Sequence, residues 1–153
     1  MADRMDRFHK ADIAHYLNQM DLKLAHQEGK YLFTHSGVLP AWLEYNEMTL
    51  EDVLSGNVPY EALVQVSPRR GGWNMCGSCI WGDVTEYAMS KKIPEIFQIF
   101  GHTQMEKEII TKEFACLDCR EAFVLDTDEE TLIKYNEYGK SREESQTNSG
   151  SEN

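Results

Sequence analysis

The stretch KYLFTHSG, residues 30–37, decides the predicted fold. Its apolar residues 31–33 predict a short strand, and the Ser-Gly dipeptide that follows His35 ends it. A second apolar run, IFQIF at residues 96–100, ends at a Gly-His pair in which the histidine is His102. The chain therefore contains two predicted strands that each end at a histidine beside a glycine.

These two histidines are candidate metal ligands. Ligand sites in α/β folds lie at the carboxyl ends of strands, and a neighbouring glycine lets a ligand approach the backbone closely. Neutral imidazole is a common transition-metal ligand, so His35 and His102 on adjacent strands suit a metal ion. The alternative is that both imidazoles hydrogen-bond to nearby loops.

Helical patterns dominate the first half of the chain, and strand patterns dominate the second. Ile13, Leu17, Met20 and Leu24 recur at helical spacing and predict a first helix that ends at Gly29. Three shorter helices are predicted from a capping-box pattern at residues 49–52, from a proline at position 59, and over residues 84–91. Strand-like runs follow at residues 107–111, 114–118, 122–125 and 132–135. This order predicts an α/β or α+β fold with a mixed sheet of four to six strands.

Composition predicts one folded unit with an acidic character. The 153 residues are 41% hydrophobic, and 26 acidic against 15 basic residues give a formal net charge of −11. Such a chain repels phosphates, so we expect neither nucleic acid nor a membrane as a partner. Because no apolar run reaches the ~20 residues of a membrane span and no signal peptide is recognisable, we expect a cytoplasmic protein. Its folded part is predicted to cover residues 1–138, followed by a disordered polar tail over residues 139–153.

Four cysteines form two Cys-x-x-Cys pairs, Cys76 with Cys79 and Cys116 with Cys119. Two such pairs are the usual pattern of a structural zinc site. The 36 residues from 80 to 115 that separate the pairs are more than the ~15–20 of a compact zinc ribbon. Two alternatives remain open, namely a zinc-stabilised binding module that uses all four cysteines, and ordinary buried cysteines.

The Arg-Arg-Gly-Gly loop at residues 69–72 combines paired cations with flexible backbone. Guanidinium groups suit phosphate oxygens, and the glycines can offer free N–H groups to an anion. The alternative is a loop with two solvated arginines.

Taken in order, these segments resemble the motifs of the calcineurin-like metallophosphoesterases. YLFTHSGVLP at residues 31–40 resembles that family's strand followed by His, a small residue, Gly and a later Pro. IFGHT at residues 99–103 resembles its Gly-His-Thr motif, and GSCIWGD at residues 77–83 is similar to its Trp-x-Asp segment. FACLDC at residues 114–119 resembles the strand that commonly ends in Asp-Thr-Gly. The resemblance runs from residue 30 to about residue 126 and is nearest to the serine/threonine-phosphatase and dinucleoside-polyphosphatase branch.

The resemblance implies a four-layer sandwich of two sheets and flanking helices, with a two-metal centre that hydrolyses phosphate esters. It implies that His35 and His102 bind the second of two divalent ions of the Mn, Fe, Zn or Mg class. It also implies that Arg70 holds the substrate phosphate and that Asp83 supports the site without binding metal. The implied substrate is a phosphorylated small molecule or a phosphoprotein.

The family's N-terminal motifs, Asp-x-His, Gly-Asp-x-x-Asp and Gly-Asn-His, are absent from this sequence. In the family they supply the first metal's ligands, the bridging carboxylate and the histidine that protonates the leaving group, so no catalytic residue is assigned here. Residues 6–28 resemble the helix that follows those motifs, so the chain resembles the C-terminal portion of a phosphoesterase. We therefore expect little or no activity from the isolated chain. It would be a non-catalytic fragment, or one piece of a split enzyme whose N-terminal half is a separate chain.

Overall fold

A five-stranded mixed sheet is the framework of the protein. The computed structural model describes residue 15 and residues 19–137. Its strands are β1 (Ala25–Glu28), β2 (Tyr31–Thr34), β3 (Phe97–Phe100), β4 (Ile109–Ile110), β5 (Phe114–Cys116), β6 (Phe123–Asp126) and β7 (Thr131–Lys134). The first five pair in the order β1-β2-β3-β5-β4, and β6 and β7 form a separate antiparallel hairpin. Because β2, β3 and β5 are parallel neighbours, their carboxyl ends lie at one edge of the sheet. The predicted mixed α/β class and mixed sheet are confirmed.

The predicted first helix is wrong at its C-terminal end. There the chain forms β1, which pairs antiparallel with β2. Gly29, predicted as the end of a helix, has a φ of +55° and lies in the turn between these two strands. Pairing with β2 also buries Ala25 in the core, and this tertiary contact outweighs the helical spacing of the sequence. The N-terminal part of the predicted helix, residues 6–18, lies outside the described residues apart from residue 15.

Short helices occupy the chain between β2 and β3. They are α1 (Pro40–Tyr45), α2 (Leu50–Ser55), α3 (Tyr60–Leu63), a 3-10 helix (Pro68–Arg70) and α4 (Val84–Met89). The predicted capping box of α2 is confirmed, since Thr49 Oγ1 accepts from the Asp52 N–H and the Asp52 carboxylate accepts from the Thr49 N–H. The helix predicted to start at Pro59 and to run through Val66 ends earlier, at Leu63.

The helices pack on one face of the sheet. Leu32, Phe100 and Phe114 project to this face from β2, β3 and β5 and join the fully buried Trp42 of α1. The Trp42 indole N–H donates to the Ala62 carbonyl over 3.1 Å, so its polar atom is satisfied inside the core. Truncating a buried tryptophan of this kind to alanine costs about 3–5 kcal/mol.

The opposite face of the sheet carries a smaller apolar cluster. Tyr31, Ile99 and Ala115 are buried there and pack with Leu125 and Leu132 of the β6–β7 hairpin. Other sheet side chains on this face, near the carboxyl edge, are only half-buried; they are Phe33 and Leu117. This face is therefore less completely covered than the face that carries the helices.

A buried amide connects the sheet to the loop that follows His35. The Gln98 side chain lies on β3 and is fully buried. Its carbonyl accepts from the Val38 N–H (2.7 Å), and its amide donates to the Val38 carbonyl (3.0 Å). An unpaired buried amide would cost about 1–3 kcal/mol, so these two bonds favour a single position of the loop relative to β3.

No helix in the part of the chain that the structure describes is long and apolar enough to cross a membrane. The predicted polar tail, residues 139–153, lies outside the described residues.

Candidate metal centre

The structure brings the two strand-end histidines together. His35 follows β2, His102 follows β3 after one glycine, and the Gly101 N–H donates to the His35 carbonyl over 2.9 Å. His35 Nε2 lies 2.8 Å from His102 Nδ1, and the two ring centroids are 4.7 Å apart. These residues are 67 positions apart in the chain, so the parallel pairing of β2 with β3 creates the contact.

His102 sits in a strained turn. Its φ is +65°, and the Thr103 N–H donates to the Gly101 carbonyl across it over 2.8 Å. A three-residue turn with positive φ at its centre is rare, and such strain costs on the order of 1–3 kcal/mol. Thr103 helps to hold the turn, because its Oγ1 accepts from Arg70 Nη2 (2.6 Å) and from the Val84 N–H (3.0 Å). Strained backbone of this kind clusters at functional sites.

The Ser-Gly dipeptide fixes the loop that carries His35. The buried Ser36 hydroxyl donates to the Ser78 carbonyl (3.1 Å) and accepts from the Gly82 N–H (2.9 Å). Gly37 has a φ of +88°, and a Cβ at that position would lie 3.1 Å from an aromatic ring carbon. A small polar residue followed by glycine is therefore what this loop requires.

Arg70 reaches the same site from the 3-10 helix. Its Nε lies 3.1 Å from Asp83 Oδ2, as an ion pair without hydrogen-bond alignment, and its Nη2 lies 3.5 Å from the His102 carbonyl. Burial opposes the charge on Asp83, but hydrogen bonds from Thr85 and the positive charges of Arg70 and Arg69 hold the pKa of its carboxyl below the usual value. Asp83 is thus ionised at neutral pH and keeps the Arg70 guanidinium beside His102.

His102 is neutral at physiological pH. Burial, then the charges of Arg70 and His35, lower the pKa of its imidazole below the usual value, against the opposing effect of Asp118 and Asp83. A neutral imidazole has the lone pair that binds a metal ion. The second ring nitrogen, Nε2, is buried and has no hydrogen-bond partner among the described residues.

The two ring nitrogens lie at hydrogen-bond distance, and on their own they do not form a metal site. At metal–nitrogen distances of ~2.1 Å, two ligands at a right angle are ~3.0 Å apart, whereas a tetrahedral pair is ~3.4 Å apart. The 2.8 Å between His35 Nε2 and His102 Nδ1 is shorter than both values and is the distance of a hydrogen bond, so the two rings would have to move slightly apart to bind one ion. Within residue 15 and residues 19–137, no group of three or more His, Cys, Asp or Glu side chains is arranged to hold a metal ion. Among the described residues, the histidine pair therefore does not complete the coordination of a metal ion.

The four cysteines are not brought together in this way. All of them are buried free thiols. Burial raises the pKa of Cys76 and Cys79 to about 11, with a smaller contribution from Glu86 at Cys76, and it also raises the pKa of Cys116. Cys116 Sγ lies 3.7 Å from the Gly101 carbonyl, in the core beneath the histidine turn. Buried cysteines of this kind pack as small apolar core side chains, and no group of three or more potential metal ligands includes them among the described residues.

A cleft of about 450 Å³ opens beside the histidine pair. His35, His102 and Asp118 line it at the carboxyl edge of the sheet, and Phe33 and Leu117 line it on the half-covered face. The three polar residues follow three adjacent parallel strands, β2, β3 and β5. The site is therefore open to solvent or to another molecule on the side away from the helices.

Two residues of the site stand inside motif segments of the sequence but had no predicted role. Thr103 holds the strained turn and binds Arg70; its position directly after a strand-end histidine was the available signal. Trp81 packs edge-on against His102, with ring centroids 5.6 Å apart and an interplanar angle of 88°. No pattern in the sequence pointed to that contact, because it depends on how the segment before Asp83 folds back onto the Ser36 loop.

Comparisons with known proteins found no protein family, curated protein or solved structure that matches this chain.

Proposed function

We propose that this protein is part of a metal-dependent phosphoester hydrolase, in which His35 and His102 together bind one divalent transition metal. The observation that carries the proposal is the convergence of His35 Nε2 and His102 Nδ1 to 2.8 Å at the carboxyl ends of two parallel strands. The strained backbone of His102 and its lowered pKa support the same role, since both are typical of functional residues.

The residues around the metal position have distinct tasks in this proposal. The two imidazoles hold the ion, which when bound would act as a Lewis acid and activate a water molecule. Arg70 provides positive charge for the phosphate of a small molecule or a phosphoprotein. Asp83 orients Arg70 through their ion pair, and Thr103 links Arg70 to the backbone of the His102 turn.

The site is incomplete without additional ligands. A two-metal centre needs ions ~3.5–4 Å apart, and two imidazoles without a bridging carboxylate do not place them. We infer that the missing carboxylates and the proton donor for the leaving group come from a second polypeptide. That polypeptide would form the other half of a four-layer sandwich. The half-buried Phe33 and Leu117 beside the cleft support this, because they offer an apolar sheet face next to the histidines.

Metal titration tests the role of the histidine pair. Calorimetric titration of Zn²⁺ or Mn²⁺ into the full chain at pH 7 is expected to show one weak site. His35→Ala and His102→Ala should each weaken it by about tenfold or more, because each removes one of two protein ligands. His26→Ala is the matched control, since His26 is an exposed histidine on β1 that stacks on Phe33. Unchanged affinity in both site variants would overturn the proposal.

The hydrolysis of p-nitrophenyl phosphate in excess Mn²⁺ is the second readout for the same proposal. The isolated chain is expected to show little or no turnover, because no carboxylate among the described residues completes a two-metal centre with the histidine pair. Substantial turnover that disappears in His35→Ala and His102→Ala would mean that this chain alone assembles a complete centre, and the inference of a second polypeptide would fail.

A further inference from the structure

The loop at residues 67–77 presents large apolar side chains to solvent. Trp73 is 96% exposed, and Met75 on the same loop is 65% exposed. Met89, at the C-terminal end of α4, is 77% exposed. Tryptophan side chains are mostly buried in folded proteins, and tryptophan, methionine and arginine are enriched in protein–protein interfaces relative to the rest of the surface.

The loop and α4 form one surface because Glu86 connects them. The Glu86 carboxylate accepts from the Ser67 hydroxyl (2.9 Å) and from the Gly77 N–H (2.8 Å), at the two ends of the loop. Met89 lies one turn after Glu86 on the same face of α4, and Arg69 Nη2 lies 3.5 Å from its sulfur. The exposed apolar side chains and the arginine therefore belong to one surface, which we call the Trp73 patch; its members are Arg69, Trp73, Met75 and Met89.

The backbone that carries Trp73 is fixed before any partner binds. The Gly72 N–H donates to the Ser67 carbonyl (2.9 Å), and the Asn74 N–H donates to the Val66 carbonyl (3.0 Å). The Asn74 side-chain oxygen accepts from the Val66 N–H (3.0 Å). Gly72 approaches Val66 so closely that a Cβ on the glycine would lie 2.0 Å from the Val66 carbonyl oxygen. A partner that packs on Trp73 does not have to order this loop, which lowers the entropic cost of association.

The patch lies in a positively charged part of a negatively charged protein. Residues 66–92 contain four basic and two acidic residues, whereas the rest of the chain contains 11 basic and 24 acidic residues. Both acidic residues of the segment already have partners within it, because Asp83 is ion-paired and Glu86 binds the loop. Arg69 and Lys91 form no ion pair within the described residues. The patch therefore fits a partner that is both acidic and apolar.

We propose that the Trp73 patch is a docking site for a short acidic segment of another protein, in which apolar side chains accompany the acidic ones. A membrane or a nucleic acid would bring an extended anionic surface against the acidic remainder of the protein, whereas a short segment meets only the patch. A second copy of the chain would bring the same net charge of −11 and be repelled. The polar tail at residues 139–153 contains no apolar side chain, so it does not match the apolar part of the patch.

A random library of short peptides displayed on phage tests the docking site on the full chain. We expect the enriched peptides to carry more acidic than basic residues together with at least one large apolar side chain. A synthetic copy of the most enriched peptide should bind in a calorimetric titration. Enrichment of basic peptides would overturn the proposal. So would the absence of enrichment, which is the result expected if another part of this chain covers the patch.

Variants locate the binding of the synthetic peptide on the patch. Trp73→Ala should weaken it by about tenfold or more, because tryptophan is prominent among the residues that dominate binding energy. Arg69→Glu should weaken it by about threefold or more, because a repulsive charge replaces an attractive one. Tyr135→Ala is the matched control, since Tyr135 is 67% exposed directly after β7 and outside the patch, and it should leave the affinity within about twofold.

All three substitutions fall on exposed side chains, so the midpoint of urea denaturation should stay at the wild-type value. That measurement separates a loss of docking from a loss of folding. Unchanged affinity in Trp73→Ala, or an equal loss in Tyr135→Ala, would overturn the proposal.

Two further measurements on the full chain distinguish other occupants of the patch. A dimer in sedimentation equilibrium that Trp73→Ala dissociates would mean that a second copy of the chain covers the patch. Cosedimentation with phosphatidylserine vesicles that Trp73→Ala abolishes would mean that the patch binds a membrane surface. We expect a monomer and no vesicle binding, and either of the other results would overturn the assignment to an acidic segment.

Discussion

The two strand-end histidines and the four cysteines are the obvious candidate metal ligands in the sequence, but the structure places them in opposite environments. His35 is exposed and His102 half-buried, and their nitrogens meet at 2.8 Å beside an open cleft. Every cysteine is buried, and the described residues contain no group of three or more potential ligands. The Cys-x-x-Cys pattern left the cysteines open as zinc ligands, whereas strand topology brings the two histidines together.

The difference shows which kind of sequence pattern predicts a functional site. Two Cys-x-x-Cys pairs indicate a metal site only if the fold brings the pairs together. Here Cys116 belongs to the inner strand β5, whereas the first pair lies in a loop. Two histidines at the ends of neighbouring parallel strands come close without any additional contact in the fold, because parallel pairing aligns the ends of the strands. Substitutions at a buried cysteine and at a strand-end histidine can therefore distinguish the core from the site.

Substituting aspartate for a buried cysteine and for a strand-end histidine should show the largest difference in stability between the core and the site. Cys79 is fully buried, so Cys79→Asp is expected to cost more than about 3 kcal/mol and to leave little native protein. His35→Asp, on an exposed side chain, should change the free energy of unfolding by less than about 1 kcal/mol. Urea denaturation followed by circular dichroism measures both. If the two variants lost similar amounts of unfolding free energy, the cysteine and histidine positions would not differ as core and site.

Alkaline pH should destabilise the protein through the cysteines. Burial raises the folded-state pKa of Cys76 and Cys79 from 9.0 to about 11, so the unfolded chain loses these protons first. Stability is therefore fully present below pH 9 and falls as the pH rises from 9 toward 11, by about 1 kcal/mol per thiol between pH 9 and 10. Burial also raises the pKa of Tyr87 above its ordinary 10.0, so the interval from pH 9 to 10 reports mainly the thiols.

Alanine variants identify the source of that alkaline loss. In Cys76→Ala and Cys79→Ala, the slope of unfolding free energy against pH between 9 and 10 should become shallower, even where the overall stability changes. A slope identical to that of the wild type in both variants would show that these thiols do not carry the effect.

The sequence predicted the elements of the fold whose cause is local. The capping box of α2 and the strands that end at the two histidines follow from residue type and spacing. It did not predict β1, because only pairing with β2 makes a strand of a segment with helical periodicity. The position of Thr103 after a strand-end histidine marked it as a candidate, but its partners Arg70 and Val84 lie 33 and 19 positions away and could not be predicted from spacing. The contact of Trp81 with His102 likewise depends on the folding of the loop before Asp83.

Substitutions of His102 can separate the role of its backbone conformation from the role of its imidazole ring. At a φ of +65°, asparagine is tolerated and a β-branched residue is not. His102→Val should therefore lower the free energy of unfolding by about 1–2 kcal/mol, while His102→Asn should change it by about half that or less. Both variants remove the imidazole, so both should lose metal affinity equally in a calorimetric titration. If the two variants lose metal binding equally but differ in stability, the strain lies in the backbone, and metal binding depends on the ring. Equal stability of the two variants would instead mean that the turn relaxes once the imidazole is removed, so that the ring's own contacts with His35 and Trp81 hold the strained conformation.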